Sequence, residues 1–156
     1  MSSHIAYLVL GTNLGDRSKN LSNASSEINE LPKTKILKKS EIFKSSAYGP
    51  VKQPFFFNLA LKVKTELSAF ALLDHLQRIE KKLKRKKNSH MKPRTIDIDI
   101  VFFDDLTINK PKLTIPHYDW QNRDFFIKPL LEINCLQIKN RFSEINSKIS
   151  QKLKIS

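Results

Sequence analysis

Cysteine occurs once, at Cys135, so an internal disulfide is excluded. In "LLEINCLQI" it has no neighbouring cysteine or histidine, which predicts a small buried apolar residue rather than a nucleophile or metal ligand. Glycine occurs three times. "LGTNLGD" therefore falls short of a phosphate-binding signature: it lacks the lysine of a P-loop and the third glycine of a dinucleotide fingerprint, and reads as a strand-to-helix turn. Long hydrophobic runs are missing too; none approaches the roughly 18 residues needed to span a membrane. "MSSHIAYLVLGTN" has no basic leader region, and its apolar stretch, 5–10, is short enough to be a strand, so a cytoplasmic protein is expected. Acidic residues are scarce, 15 against 28 lysines and arginines, for a formal charge of +13. That balance favours a polyanionic ligand: nucleic acid, nucleotide or acidic lipid. Lysine greatly outnumbers arginine, however, as it also does in proteins of AT-rich genomes, so charge alone does not choose among them.

What is present suits one domain over residues 1–156, with no internal repeat and no linker. Residues 4–10 form a first strand. Asp16 or Ser18 caps a helix with Leu21, Ala24, Ser25, Ile28 and Leu31 on one face, ending before Pro32. Residues 33–48 read as a second strand with a solvated face, 49–54 as a loop, and 55–67 as a third strand. Ser68 caps the clearest helix, on which Phe70, Leu72, Leu73, Leu76, Ile79, Glu80 and Leu83 follow the helical period. A strand over 95–103 comes next, then a turn, a short edge strand and a loop over 104–117. Asp119 opens a helix expected to stop at Pro129, and 141–156 is a weak amphipathic tail. Strands and helices mix without strict alternation. The class is α+β: a ferredoxin-like α/β sandwich with a largely antiparallel sheet and helices packed on it.

One strand contradicts its own burial. In "RTIDIDIVFFDD", Ile96, Ile98 and Ile100 share one face, and Asp97 and Asp99 share the other. Same-face residues lie roughly 6.5–7 Å apart at the backbone, wide for sharing a proton but suited to holding hard cations jointly. A solvent face on an amphipathic strand is the plain alternative. The flanks weaken it: Arg94 and the lysine-rich run 81–87 precede the pair, and His117 and Arg123 follow, as a bound phosphate chain would require. Asp104 and Asp105 read as an exposed turn outside the site. A second unusual place is "AYGPVKQPFFFN". Three consecutive aromatics cannot all face one core, so Phe56 or a neighbour is available to stack on a planar ligand, and Asn58 can read a heterocycle edge with a donor and an acceptor.

"LGTNLGD", "GPVKQPFFFN", "KPRTIDIDIVFF" and "LTIPHYDWQNRDFFIKPL" occur in one order over residues 5–133 and together resemble the 6-hydroxymethyl-7,8-dihydropterin pyrophosphokinase family of folate biosynthesis. The resemblance implies pyrophosphoryl transfer from ATP to the hydroxymethyl group of a reduced pterin, with release of AMP. It implies two magnesium ions held by Asp97 and Asp99, with Arg94, Arg85 and Lys87 as catalytic cations. It implies a pterin between Phe56 and Phe125, read by Asn58 and by the loop Ser45, Ser46, Ala47 and Tyr48. ATP would meet Glu80, Arg94, Ile100, Lys112, Thr114, His117, Tyr118 and Arg123. A monomer with small-molecule substrates, and neither nucleic acid nor membrane as partner, is expected. The chain departs from the family pattern in three places. Lys84, Arg85, Lys86 and Lys87 replace glycine-arginine-x-arginine, Met91 and Lys92 replace tryptophan-glycine, and Phe43, Ser45 and Ala47 replace tyrosine-x-threonine-x-proline. These departures touch the lid that the resemblance implies rather than the metal chemistry, and predict an active enzyme that is slower or weaker for ATP. A small ferredoxin-like RNA-binding domain is the competing class, but "FFFNLALKV" lacks an RNP-type glycine-aromatic pattern. A catalytically silent pterin binder is the third.

Overall fold

The computed structural model describes residues 2–45, 55–84 and 96–140. Its centre is the apolar strand β1 (His4–Thr12), which pairs antiparallel with β4 (Phe56–Thr65) on one side and β5 (Ile96–Phe103) on the other. β2 (Thr34–Lys39) and β3 (Phe43–Ser45) both pair antiparallel with β4, giving a sheet ordered β2-β4-β1-β5 with β3 beside β4. β6 (Ile108–Asn109) and β7 (Thr114–Ile115) form a separate small hairpin.

The two-residue alternation of the strands divides the interior in two. On one face Leu8, Leu10, Leu59, Leu61, Ile96, Ile98 and Ile100 pack against α1 (Arg17–Asn29) and α2 (Ala69–Lys84). On the other, Tyr7, Val9, Ala60 and Phe102 pack against Trp120, in a 3-10 turn at Trp120–Asn122, and against Phe126, Ile127 and Leu130 of α3 (Asp124–Glu132). The expected sandwich of helices on a mostly antiparallel sheet is the one observed. The register of β5 on β1 shifts between Tyr7 and Leu8, so Leu8 faces Ile100 while Tyr7 faces Phe102. One extra residue on β5, as in a β-bulge, lets Val101 and Phe102 both serve the α3 side.

Capping follows the sequence. Asp16 accepts from the Lys19 amide at 3.1 Å, and Ser68 accepts from the Ala71 amide at 3.1 Å. Lys81, Lys82 and Lys84 occupy the last turn of α2, where the helix dipole favours cations. Cys135 is fully buried, and burial pushes its thiol up to about 11.

Two elements differ from expectation. The single strand expected over 33–48 is broken into β2 and β3. At the break, the Ser40 amide still donates to the Ala60 carbonyl at 2.9 Å, but its hydroxyl accepts from the Ala60 amide at 2.8 Å and the Glu41 amide donates to Glu132 at 2.6 Å, so side chains take over part of the ladder there. The helix expected from Asp119 to Pro129 begins later and runs on. Asp119 makes no side-chain cap, and α3 continues through Pro129 to Glu132. The amide hydrogen that proline lacks leaves one helical bond unmade, but Pro129 and Leu130 are both buried in the core, which offsets that loss. The expected loop over 49–54 and tail over 141–156 lie outside the described residues.

Asp104 is not an idle turn residue. With φ of 49°, it accepts from His4 Nδ1 at 2.6 Å and from the Ile5 amide at 2.7 Å, while its own amide donates to the Ile5 carbonyl. It clasps the start of the central strand to the end of β5. Asp104→Ala leaves the Ile5 amide without that acceptor, and should lower unfolding free energy by about 1–3 kcal/mol in urea titration. Ligand binding at the cavity described next should be unaffected.

Candidate active site

On the α3 side of the sheet, a cavity of about 340 Å³ is lined by Val9, Gly11, Ser45, Phe56, Asn58, Asp97, Asp99, Asp119, Asn122, Arg123, Phe125 and Phe126. Strand register builds its floor in rows. Phe43, Asn58, Gly11 and Asp97 stand directly across β3, β4, β1 and β5. One step along, Ala60, Val9 and Asp99 form the next row. The two aspartates therefore do share a face, opposite the isoleucines, and they open on the cavity rather than on bulk solvent alone.

Their electrostatics follow from that placement. Burial and the neighbouring Asp97 push the Asp99 carboxyl up to about 6, against a smaller opposing pull from Arg123. Arg123 is itself held: its Nε donates to Asp119 Oδ2 at 3.1 Å, and Asn122 Nδ2 donates to Asp119 Oδ1 at 2.9 Å. Those two hydrogen bonds hold the Asp119 carboxyl below its usual range. The guanidinium lies 5.6 Å from the Phe125 ring centroid and 5.1 Å from that of Phe126, on the cavity side of α3.

The aromatic triplet divides as its alternation requires. Phe56 faces the cavity. Phe57 faces the opposite side, with the Arg17 guanidinium 4.2 Å from its ring centroid and Lys44 Nζ at 5.8 Å. Phe55 is exposed, and its carbonyl accepts from Arg17 at 2.7 Å. Phe125 lines the cavity from α3, so two of the expected ring contacts, Phe56 and Phe125, meet in one space with Asn58 and Ser45.

The residues expected around ATP are placed differently. Glu80 reaches from α2 to accept from the Ile98 amide at 3.0 Å, on the free edge of β5. Burial raises the pKa of its carboxyl, opposed by that amide bond, with Asp97 and Asp99 raising it further. The backbone amide of His117 donates to the Val101 carbonyl, so this residue too is fixed to β5. Its ring stacks on the exposed Tyr118, and burial pushes it down to about 4. The Ile100 side chain belongs to the core. Lys112 pairs with Asp74 at 3.0 Å, and Thr114 lies in β7. Of the described members of the expected ATP set, only Arg123 lines the cavity. Arg85, Lys87, Arg94, Ser46, Ala47 and Tyr48 lie outside the described residues, as do Met91 and Lys92.

Val9, Gly11, Asp119, Asn122 and Phe126 line the cavity without having been singled out in the sequence. Val9 and Gly11 are recognisable only once the register of β1 against β5 is known. Asp119 carried a signal, since in "DWQNR" it stands three residues before Asn122 and four before Arg123, at helical spacing. Among the described residues no group of three or more metal-ligating side chains occurs, so a cation here would rest on the two aspartates and on ligands it shares with a substrate.

Comparison with known proteins converges on one family. The family model described as 7,8-dihydro-6-hydroxymethylpterin-pyrophosphokinase matches residues 7–135. A 2-amino-4-hydroxy-6-hydroxymethyldihydropteridine pyrophosphokinase of Haemophilus influenzae is 42% identical over 128 residues, covering 82% of this chain and 80% of that protein. The bifunctional protein FolKE of Lactococcus lactis is 44% identical over 127 residues, and the match spans only 36% of its length. Among solved structures, an HPPK-DHPS in complex with substrates superposes with a TM-score of 0.63 at 18% identity, over 85% of this chain and 40% of that one. Wild-type HPPK-DHPS of Plasmodium falciparum with pteroate gives 0.60 at 20% identity, over 84% of this chain and 39% of that one. At that identity the structural likeness concerns the fold.

The Asp99 shift has a sign that stability can read. Between 3.8 and about 6 the folded protein binds the extra proton, so stability falls as pH rises through that window. His117 works oppositely, its contribution falling as pH drops from 6.5 toward about 4. In the metal-free protein, Asp99→Asn should therefore raise Tm little at pH 4 and by several degrees above pH 6.5, an upper bound of about 3 kcal/mol. Differential scanning fluorimetry in a chelator, on both proteins across pH, measures the difference.

Proposed function

The chain belongs to the 7,8-dihydro-6-hydroxymethylpterin-pyrophosphokinase family, and from that membership we propose that it transfers the β,γ-pyrophosphoryl group of ATP to the hydroxymethyl group of 6-hydroxymethyl-7,8-dihydropterin, releasing AMP, in folate biosynthesis. The observation that carries the reading is the joining in one cavity of a paired carboxylate, an aromatic pair and a buried amide, the elements needed to hold a phosphate chain at one end and a planar ring at the other. Residues 1–156 would act as one pyrophosphokinase domain, as a monomer, on small-molecule substrates in the cytoplasm. No helix among the described residues is long and apolar enough to cross a membrane.

The donor set fits magnesium. Asp97 and Asp99 offer hard carboxylate oxygens, they repel each other, and the cavity beside them leaves room for water and phosphate oxygens, which magnesium prefers to a full protein cage. These two residues would hold both ions, whose chemistry when bound is to neutralise phosphate charge and to acidify the attacking hydroxyl.

The protein's own part is chiefly positioning. Phe56 and Phe125 would stack on the two faces of the pterin, and Asn58 would hydrogen-bond its edge, so that the hydroxymethyl arm points toward β5 and its aspartates. The hydroxyl oxygen would attack the β-phosphorus and give up its proton to solvent, while the bond from that phosphorus to the oxygen bridging it to the α-phosphate breaks and AMP leaves with that oxygen. Arg123, held by Asp119, would present its cationic head to charge developing on the transferred group. Glu80 and His117, anchored along the free edge of β5, would border the nucleotide end, with Ile100, Lys112, Thr114 and Tyr118. Arg85, Lys87 and Arg94 would add cations there, and Ser46, Ala47 and Tyr48 would extend the pterin contacts.

Protein mixed with magnesium, ATP and 6-hydroxymethyl-7,8-dihydropterin should yield AMP and the pterin diphosphate. Release of ADP instead would mark an ordinary kinase and overturn the reading. Asp97→Asn and Asp99→Asn should each lower kcat by at least about a thousandfold with circular dichroism unchanged, in line with loss of a preorganised charged contact at the reacting group. Near-normal turnover in either variant would remove the metal assignment. Phe56→Ala and Phe125→Ala should instead raise the pterin Kd, measured by fluorescence titration, about tenfold each, the loss of one ring-on-ring contact.

A further inference from the structure

Gly11 is the last residue but one of the central strand, and glycine within a strand often marks a close approach. Its backbone does not demand glycine: among the described glycines only Gly15 has positive φ. Space does. A Cβ built on Gly11 would lie 2.9 Å from Asn58 Oδ1 and 3.9 Å from Phe56 Cδ1, and its three nearest neighbours all belong to those two residues. None belongs to Asp97, which flanks Gly11 on the other side.

Asn58 has no easy way to yield. It is buried, and its Nδ2 donates to Ser45 Oγ at 2.7 Å and reaches toward the Phe43 carbonyl at 3.5 Å. A carbonyl can only accept, so the nitrogen of the amide must face β3 and the oxygen must face Gly11. Gly11 and Asn58 both line the cavity, so Oδ1, which lies between them, stands at its floor.

We propose that Gly11 and Ser45 are positioning residues for the ring-binding half of the site: Ser45 fixes the Asn58 amide from one side, and the missing side chain at Gly11 leaves room for its oxygen on the other. The amide is thereby committed to one role. It presents an acceptor, and selects a heterocycle whose edge carries an N–H donor at that point. A ring bearing only acceptors there would leave two lone pairs facing each other. This rests on the pterin reading of the cavity and adds to it the direction in which the edge is read.

The test is a binding cycle on the full chain, with 6-hydroxymethyl-7,8-dihydropterin and a non-hydrolysable ATP analogue as separate probes. Gly11→Ala should weaken pterin binding at least about tenfold and leave the affinity for the ATP analogue within about twofold. In an Asn58→Ala background, Gly11→Ala should have no further effect on pterin Kd, because the atom it crowds is gone. A merely structural role would lower Tm and weaken both ligands together. Equal pterin affinity in Gly11→Ala and the parent, or the same loss in both backgrounds, overturns the inference while the functional reading stands. A parent that binds no pterin overturns both. If Gly11→Ala does not fold, Ser45→Ala decides: it frees the amide without crowding the floor, and should also weaken the pterin while sparing the ATP analogue. Unchanged pterin affinity there overturns the inference.

Discussion

The register of β1 between β4 and β5 is the constraint on which the site depends. Leu8 and Leu10 commit one face of β1 to the α1–α2 core, which leaves Val9 and Gly11 no choice of face. Through the pairing, that commitment also decides that Asn58 and Asp97 flank Gly11 and that Ala60 and Asp99 flank Val9. A slip of one residue on β5 would bury both aspartates among leucines, at a desolvation cost that no helix contact could offset. The isoleucines of β5 thus do more than anchor a strand. They make the position of the two carboxylates as firm as the hydrophobic core itself.

Charge on the cavity side is arranged so that its members answer different neighbours. Asp119 is satisfied, by Arg123 and Asn122, and its carboxyl stays ionised. Asp99 is not: burial and Asp97 both oppose its ionised form, and Arg123 compensates only in part. His117 is kept neutral by burial, with Arg123 acting in the same direction. Its Nδ1 takes a hydrogen bond from the Asp119 amide, which requires that nitrogen to be unprotonated. The arginine is shared among all three, so the pair on β5 is left under-neutralised by construction, a common property of sites that complete their charge balance with a ligand.

Period and capping were enough to find most of the elements, because β1, β4, α1, α2 and β5 each carry strong alternation or helical spacing with clear boundaries. The aspartate pair, Phe56 and Asn58 were visible as residues out of place for a core, Phe125 came only through the family resemblance, and all of them meet in one cavity. What escaped depended on tertiary partners. The break between β2 and β3 comes from Ser40 bonding to Ala60 on a neighbouring strand, which no local pattern announces. The passage of α3 through Pro129 depends on burial against the sheet. Asp104 looked like turn punctuation because its partners, His4 and Ile5, are about a hundred residues away in sequence. Gly11 looked like part of a turn motif, and its contact with Asn58 exists only across strands.

The chain as a whole is strongly basic, with a formal charge of +13, yet the described cavity lining holds three carboxylates and one arginine. Those two facts select between polyanions. A long-range positive field draws any phosphate chain toward the surface. At the cavity itself a bare phosphate chain would meet Asp97 and Asp99, one of them already reluctant to carry its own charge. Single-stranded nucleic acid held by basic side chains alone has no means of removing that repulsion. A nucleotide that carries divalent cations would have one, because Asp97 and Asp99 could share those cations with its phosphates. On the proposed reading, the same acid pair that would weaken a nucleic-acid surface would suit this one to a metal-complexed phosphate chain, with the Phe56–Phe125 side of the cavity, one strand away beyond Gly11, left for the acceptor ring.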